Sequence, residues 1–149
     1  MTVMIQAAST ADPRGMIPAE LFDKVAARTA AEHKMPRELA DRSLLQTLTM
    51  LRAIAEHPGT TLHPPKVIDY SWHMLILHTA DYMAMCERLA GHYLHHTPAD
   101  GATDGGANVQ ASADTLRSLG YEIDDELWAM IDATNCENAC SGCDNKVPS

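Results

Sequence analysis

Proline and glycine divide this chain into pieces that each suit one helix, and this punctuation restricts the fold more than any other feature. Pro18, Pro36, the Pro58-Gly59 pair, Pro65, Pro98 and Gly120 all fall at segment ends. There, proline's fixed φ and missing N–H are tolerated at a helix start and terminate a helix elsewhere. Between these stops, apolar residues recur every three or four positions, the spacing that builds one helical face. Leu21, Phe22, Val25, Ala26, Thr29 and Ala30 predict a first helix ending near His33. Ala40, Leu44, Thr47, Leu48, Leu51, Ile54 and Ala55 predict a second, opened by Pro36. On that helix Arg37, Asp41, Arg42, Arg52 and Glu56 are expected to face solvent.

From Lys66 the pattern is helical again, with a bend expected near His78 because Thr79 is a good N-cap and Asp81 suits the positive helix end. The second half of this hairpin is predicted to run to about His95 and stop before Pro98. A glycine- and aspartate-rich loop over 98–107 leads to a short helix over 111–119, closed by Gly120. Asp124-Asp125-Glu126 then makes an acidic helix start before Leu127, Trp128, Met130 and Ile131. Aromatic residues are only 5% of the chain, which favours packed helices over a sheet. The expectation is an all-α single compact domain of about five or six helices with a central helical hairpin and flexible termini. Residues 1–16 form a disordered tail, 17–132 the helical domain and 133–149 a cysteine-containing tail.

Several functions are excluded at this level. A net charge of −9 without clustered Lys or Arg argues against nucleic acid. No apolar run approaches the length of a membrane span, and no signal peptide precedes the first helix, so a cytoplasmic protein is expected, with no membrane partner. Neither a G-x-S-x-G elbow, a P-loop nor a G-x-G-x-x-G is present. A small molecule, or a protein partner meeting the acidic surface, remains.

The chemistry concentrates between Val67 and Pro98, which holds five of the eight histidines. Asp69 and His73 are four apart and share a helical face, where a carboxylate can orient an imidazole or join it as a ligand. If the chain doubles back near His78, Cys86 comes within reach of His73, and His63 approaches His95 and His96. The expected centre is therefore a zinc or iron site using Asp69, His73, Cys86 and one of His95 or His96, with Tyr82 as proton donor. His63 and His78 are alternative ligands. The equally simple alternative is a buried Cys86 thiol and a satisfied Asp69–His73 pair.

Cys136, Cys140 and Cys143 spell C-x3-C-x2-C, a spacing that suits an iron–sulfur cluster or a zinc site on the tail. Two further readings follow, a metal-stabilised scaffold or metal carrier using these cysteines, and a plain partner-binding helical module.

Asp69, the Trp72-His73 pair, Ile76-Leu77-His78-Thr79, Tyr82, Cys86, Gly91, His95-His96 and Pro98 together resemble the signature of the glycine-rich domain-containing protein-like family. Leu119-Gly120-Tyr121 and Leu127-Trp128 are also similar to it. The resemblance implies an α-helical domain and brings no activity with it.

Overall fold

The computed structural model describes residues 11–97 and 106–130. Among the described residues there are six α-helices and no strand: α1 (Ala19–Glu32), α2 (Arg37–Glu56), α3 (Lys66–Leu77), α4 (Thr79–Ala90), α5 (Ala107–Ser118) and α6 (Asp125–Ala129). Pro18, Pro36 and Pro65 stand at the N-caps of α1, α2 and α3. Each helix thus begins where proline's geometry favours it.

The core is organised around α2, whose Leu44, Leu48 and Leu51 are wholly buried. α1 and α3 flank it, α4 packs on α3 and α2, and α5 pairs with α6. A polar seam joins α2 to α3. Ser43 Oγ donates to the Val67 carbonyl and, in consequence, accepts from Ser71 Oγ at 2.7 Å. Thr47 Oγ1 donates to the Ile68 carbonyl at 3.0 Å. Small hydroxyl side chains here satisfy buried polar atoms while letting the two helices approach closely. On the other side, Gln46 Oε1 accepts from the Asp124 amide and from Trp128 Nε1, and Arg42 grips Asp124 through two bonds of 2.7 and 2.9 Å. The Arg42 guanidinium holds the Asp124 carboxyl below the usual carboxylate range.

Three boundaries and one cap differ from expectation. Order begins before residue 17, because Pro13–Met16 form a one-turn 3-10 helix with Met16 buried and Asp12 capping the Arg14 amide at 2.9 Å. The break between α3 and α4 falls where it was expected, yet His78 rather than Thr79 is the capping residue, and its side chain makes no capping bond. α5 starts at Ala107 rather than near 111. Most consequential, α4 ends at Ala90 rather than near His95. Gly91 adopts φ +78°, the left-handed conformation that closes helices and that only glycine enters without penalty. Arg52, expected on the solvent face of α2, is instead buried, at 8% exposure. The predicted 98–107 loop lies outside the described residues except for its last two, and the three tail cysteines lie outside them altogether. No helix of the described residues is long and apolar enough to cross a membrane.

Candidate metal centre

Helical spacing puts Asp69 and His73 on one face of α3, and the rest of the site depends on where the chain goes after Gly91. Residues 91–97 are not helical. Within them burial alternates, with Leu94 buried and His95 exposed. The segment passes α4 in the reverse direction: the Leu94 amide donates to Cys86 Sγ at 3.4 Å, and Tyr82 OH donates to the Leu94 carbonyl at 2.6 Å. Two residues later, the His96 ring lies flat on Trp72, with centroids 4.0 Å apart and 8° between planes. His96 is thereby delivered to the face of α3 that carries Asp69 and His73.

The three side chains converge. His96 Nε2 lies 2.7 Å from Asp69 Oδ1 and 2.7 Å from His73 Nε2, and His73 Nε2 lies 3.3 Å from Asp69 Oδ2. One imidazole proton cannot serve both a carboxylate oxygen and another ring nitrogen with good geometry, so a cation at this point would satisfy lone pairs that hydrogen bonding leaves crowded. Zinc–nitrogen and zinc–oxygen bonds of about 2.0–2.1 Å around a tetrahedral ion place ligand atoms about 3.4 Å apart. The observed separations reach that spacing with a small opening of the two shorter contacts. Two histidines and one carboxylate also leave coordination positions free. The centre is walled on one side by Trp72 and open on the other, as side-chain exposures of 12% for His96 and 55% for His73 show. Burial, partly opposed by Asp69, keeps His96 below the ordinary histidine pKa. A neutral imidazole is the form that binds metal.

The remaining expected ligands are elsewhere. Cys86 is completely buried, and its sulfur faces the Leu94 amide. His95 is exposed, lies outside the cluster and packs on Tyr93, with ring centroids 4.8 Å apart. His63 is exposed, and its backbone amide donates to Ser112 Oγ on α5. His78 sits at the α3–α4 junction, outside the cluster. Tyr82 does not face the cluster either. Its hydroxyl accepts from Trp72 Nε1 at 3.0 Å while donating to Leu94, and burial pushes its pKa well up. Tyr82 is therefore a positioning residue, fixing both the indole beneath His96 and the strand of chain that carries it.

Sequence reasoning missed His33. Its ring stacks on Tyr70, with centroids 3.7 Å apart and 6° between planes, beside the Asp69–His73 face. Burial, with a smaller contribution from His73, holds its pKa down against the pull of Glu32. No spacing in the sequence reveals this, because it arises from the packing of α1 on α3.

Residues 13–119 match the UCP032817-like family. That match replaces the resemblance to the glycine-rich domain-containing protein-like family, whose specific positions lie within the stretch from Asp69 to Pro98. Several of those positions, Trp72, Tyr82, Cys86 and Gly91, are here accounted for by packing and chain reversal. No curated protein and no solved structure matches the chain. Since the matched region takes in more than half of the sequence and all of α1 to α4, the chain belongs to the UCP032817-like family.

Proposed function

We propose that this protein binds a divalent transition metal, zinc or iron, through Asp69, His73 and His96, and uses it as an enzyme acting on a small molecule. The observation that supports this reading is the convergence of one oxygen and two nitrogen atoms from these three side chains, all within 4.8 Å of one another. Mixed nitrogen and oxygen donors suit zinc and iron better than magnesium or calcium. Three protein ligands with an open face are the pattern of a catalytic centre, whereas structural zinc sites are closed by four. The metal would supply Lewis acidity at its free positions. The chain itself supplies the ligands, the Trp72 wall that holds His96, and the exposed approach past His73.

The test is elemental analysis of untagged protein purified anaerobically and then reloaded with zinc or iron(II). The expected result is one metal per chain, lost in Asp69→Ala, His73→Ala and His96→Ala and retained in His95→Ala. Retention of full metal in all three cluster variants would refute the reading.

A further inference from the structure

A cleft of about 1130 Å³ lies on the α2 face that carries Gln46, Thr49 and Arg52, against Ala11 and the 120–124 turn. Clefts in this size range accommodate small molecules. Three buried polar side chains of α2 line it, with exposures of 8% for Gln46, 6% for Thr49 and 8% for Arg52. A helix facing the core does not ordinarily present such a row, since buried polar groups are nearly always paired.

The pairing here is one-sided. Arg52 Nη1 donates to the Ala11 carbonyl at 2.6 Å, and among the described residues the guanidinium makes no ion pair. Four of its five N–H groups have no acceptor among those residues. Gln46 spends its side-chain oxygen twice, on the Asp124 amide and Trp128 Nε1, which fixes the orientation of its amide. Its NH2 group then has no acceptor among the described residues. The Thr49 hydroxyl hydrogen is used on the Leu45 carbonyl. Of the carboxylates around the cleft, Asp124 is held by Arg42 and Asp12 caps the Arg14 amide. Glu122 is exposed at the edge. The wall therefore offers a buried positive charge and unspent donors, which make no hydrogen bond or ion pair with the carboxylates of the lining, Glu122 at the edge included.

The geometry points to a second ligand site, in which Arg52 and the Gln46 amide bind the anionic head of a small carboxylate- or phosphate-bearing molecule. A guanidinium engages either group through two parallel hydrogen bonds, and a desolvated setting strengthens them. This site shares no residue with the metal centre.

Isothermal titration of the full chain with inorganic phosphate, and separately with succinate, tests the inference and distinguishes the two head groups. One or both should bind with one-to-one stoichiometry. Arg52→Gln should weaken binding by at least about tenfold, the loss expected for one charged hydrogen-bonded contact. Arg52→Lys, which keeps the charge and loses the fork, should fall between. Gln46→Glu keeps an oxygen for Asp124 and Trp128 while replacing the NH2 donor by a negative charge, so it should abolish binding with the helical circular dichroism preserved. If neither anion gives saturable heat, or if folded Arg52→Gln and Gln46→Glu bind as the parent does, the inference is overturned.

Discussion

Replacing Tyr82 by phenylalanine removes a single oxygen that ties three parts of the molecule together. The hydroxyl accepts from Trp72 Nε1 and donates to the Leu94 carbonyl, and all three residues are buried, at 0%, 4% and 5% exposure. Without it, an indole N–H and a carbonyl are stranded away from water. Each such group costs about 1–3 kcal/mol, and partial relaxation makes about 2–4 kcal/mol reasonable for the pair. That is a large share of the roughly 5–15 kcal/mol by which a domain is stable. At about 4 °C per kcal/mol for a domain of this size, Tm should fall by about 8–16 °C. The same change loosens both supports of His96, the ring it stacks on and the chain two residues before it. Metal affinity should consequently drop by about tenfold, as when an outer partner of a ligand is lost. Thermal unfolding followed by circular dichroism gives the first quantity, and competition with a chromophoric chelator gives the second. A Tm within about 2 °C of the parent would show that the hydroxyl does not bridge these groups, and an unchanged metal affinity would show that His96 is held without them.

Other substitutions and conditions separate the same elements. Cys86→Ala should leave metal content unchanged while lowering stability by about 1–2 kcal/mol, since it removes a buried sulfur that packs in the core and accepts from Leu94; loss of metal on elemental analysis would restore the thiol as a ligand. Gly91→Ala should cost about 1 kcal/mol purely through backbone strain, because an added Cβ meets nothing within 4 Å while φ is +78°; a stabilised variant in guanidinium titration would refute this. His33 and His96 both have folded pKa values below 6.5. Their contribution is fully present above pH 6.5 and is lost as pH falls through the lower folded values, because the unfolded chain then binds protons that the native state refuses. Stability of metal-free protein measured between pH 8 and pH 5, about the range in which histidine titrates, should therefore decline on the acid side, and the decline should shrink in His96→Phe.

The helices were legible because proline and glycine marked their ends and the apolar faces between them kept a helical period. Where two signals conflicted, the weaker-looking one prevailed. The stripe Tyr82, Cys86, Leu89, Ala90, Tyr93 continues smoothly past Gly91, yet the glycine ends the helix. Extending the helix to His95 gave His96 the wrong direction, and the expected doubling back near His78 drew Cys86 towards His73. The Asp69–His73 pair was readable from its four-residue spacing alone. The arrival of His96 was not, since it depends on a bond that Tyr82 donates to the Leu94 carbonyl and one that Cys86 Sγ accepts from the Leu94 amide, in a segment with no regular structure. Arg52 was placed on the solvent side by helical angle, and it is buried because the Pro13–Met16 turn and residues 120–124 cover that side of α2. Those are contacts between distant parts of the chain, which periodicity within one helix does not encode.

The hydroxyl seam between α2 and α3 has a consequence for how sharply the proposed metal ligands are set. Val67 and Ser71 lie about 200° around α3 from Asp69 and His73, so the seam and the imidazole sit on opposite faces of one helix. An apolar interface alone would let α3 slip along α2 by a turn, about 5.4 Å, at modest loss. Here such a slip would leave Ser43, Thr47 and Ser71 without their partners, so α3 has a single register. Drift in Ser43 or Thr47 would thus be felt on the far side of the helix, as a mis-set distance between His73 and His96, whose chain is held to α4 through Leu94 while its ring rests on Trp72 of α3.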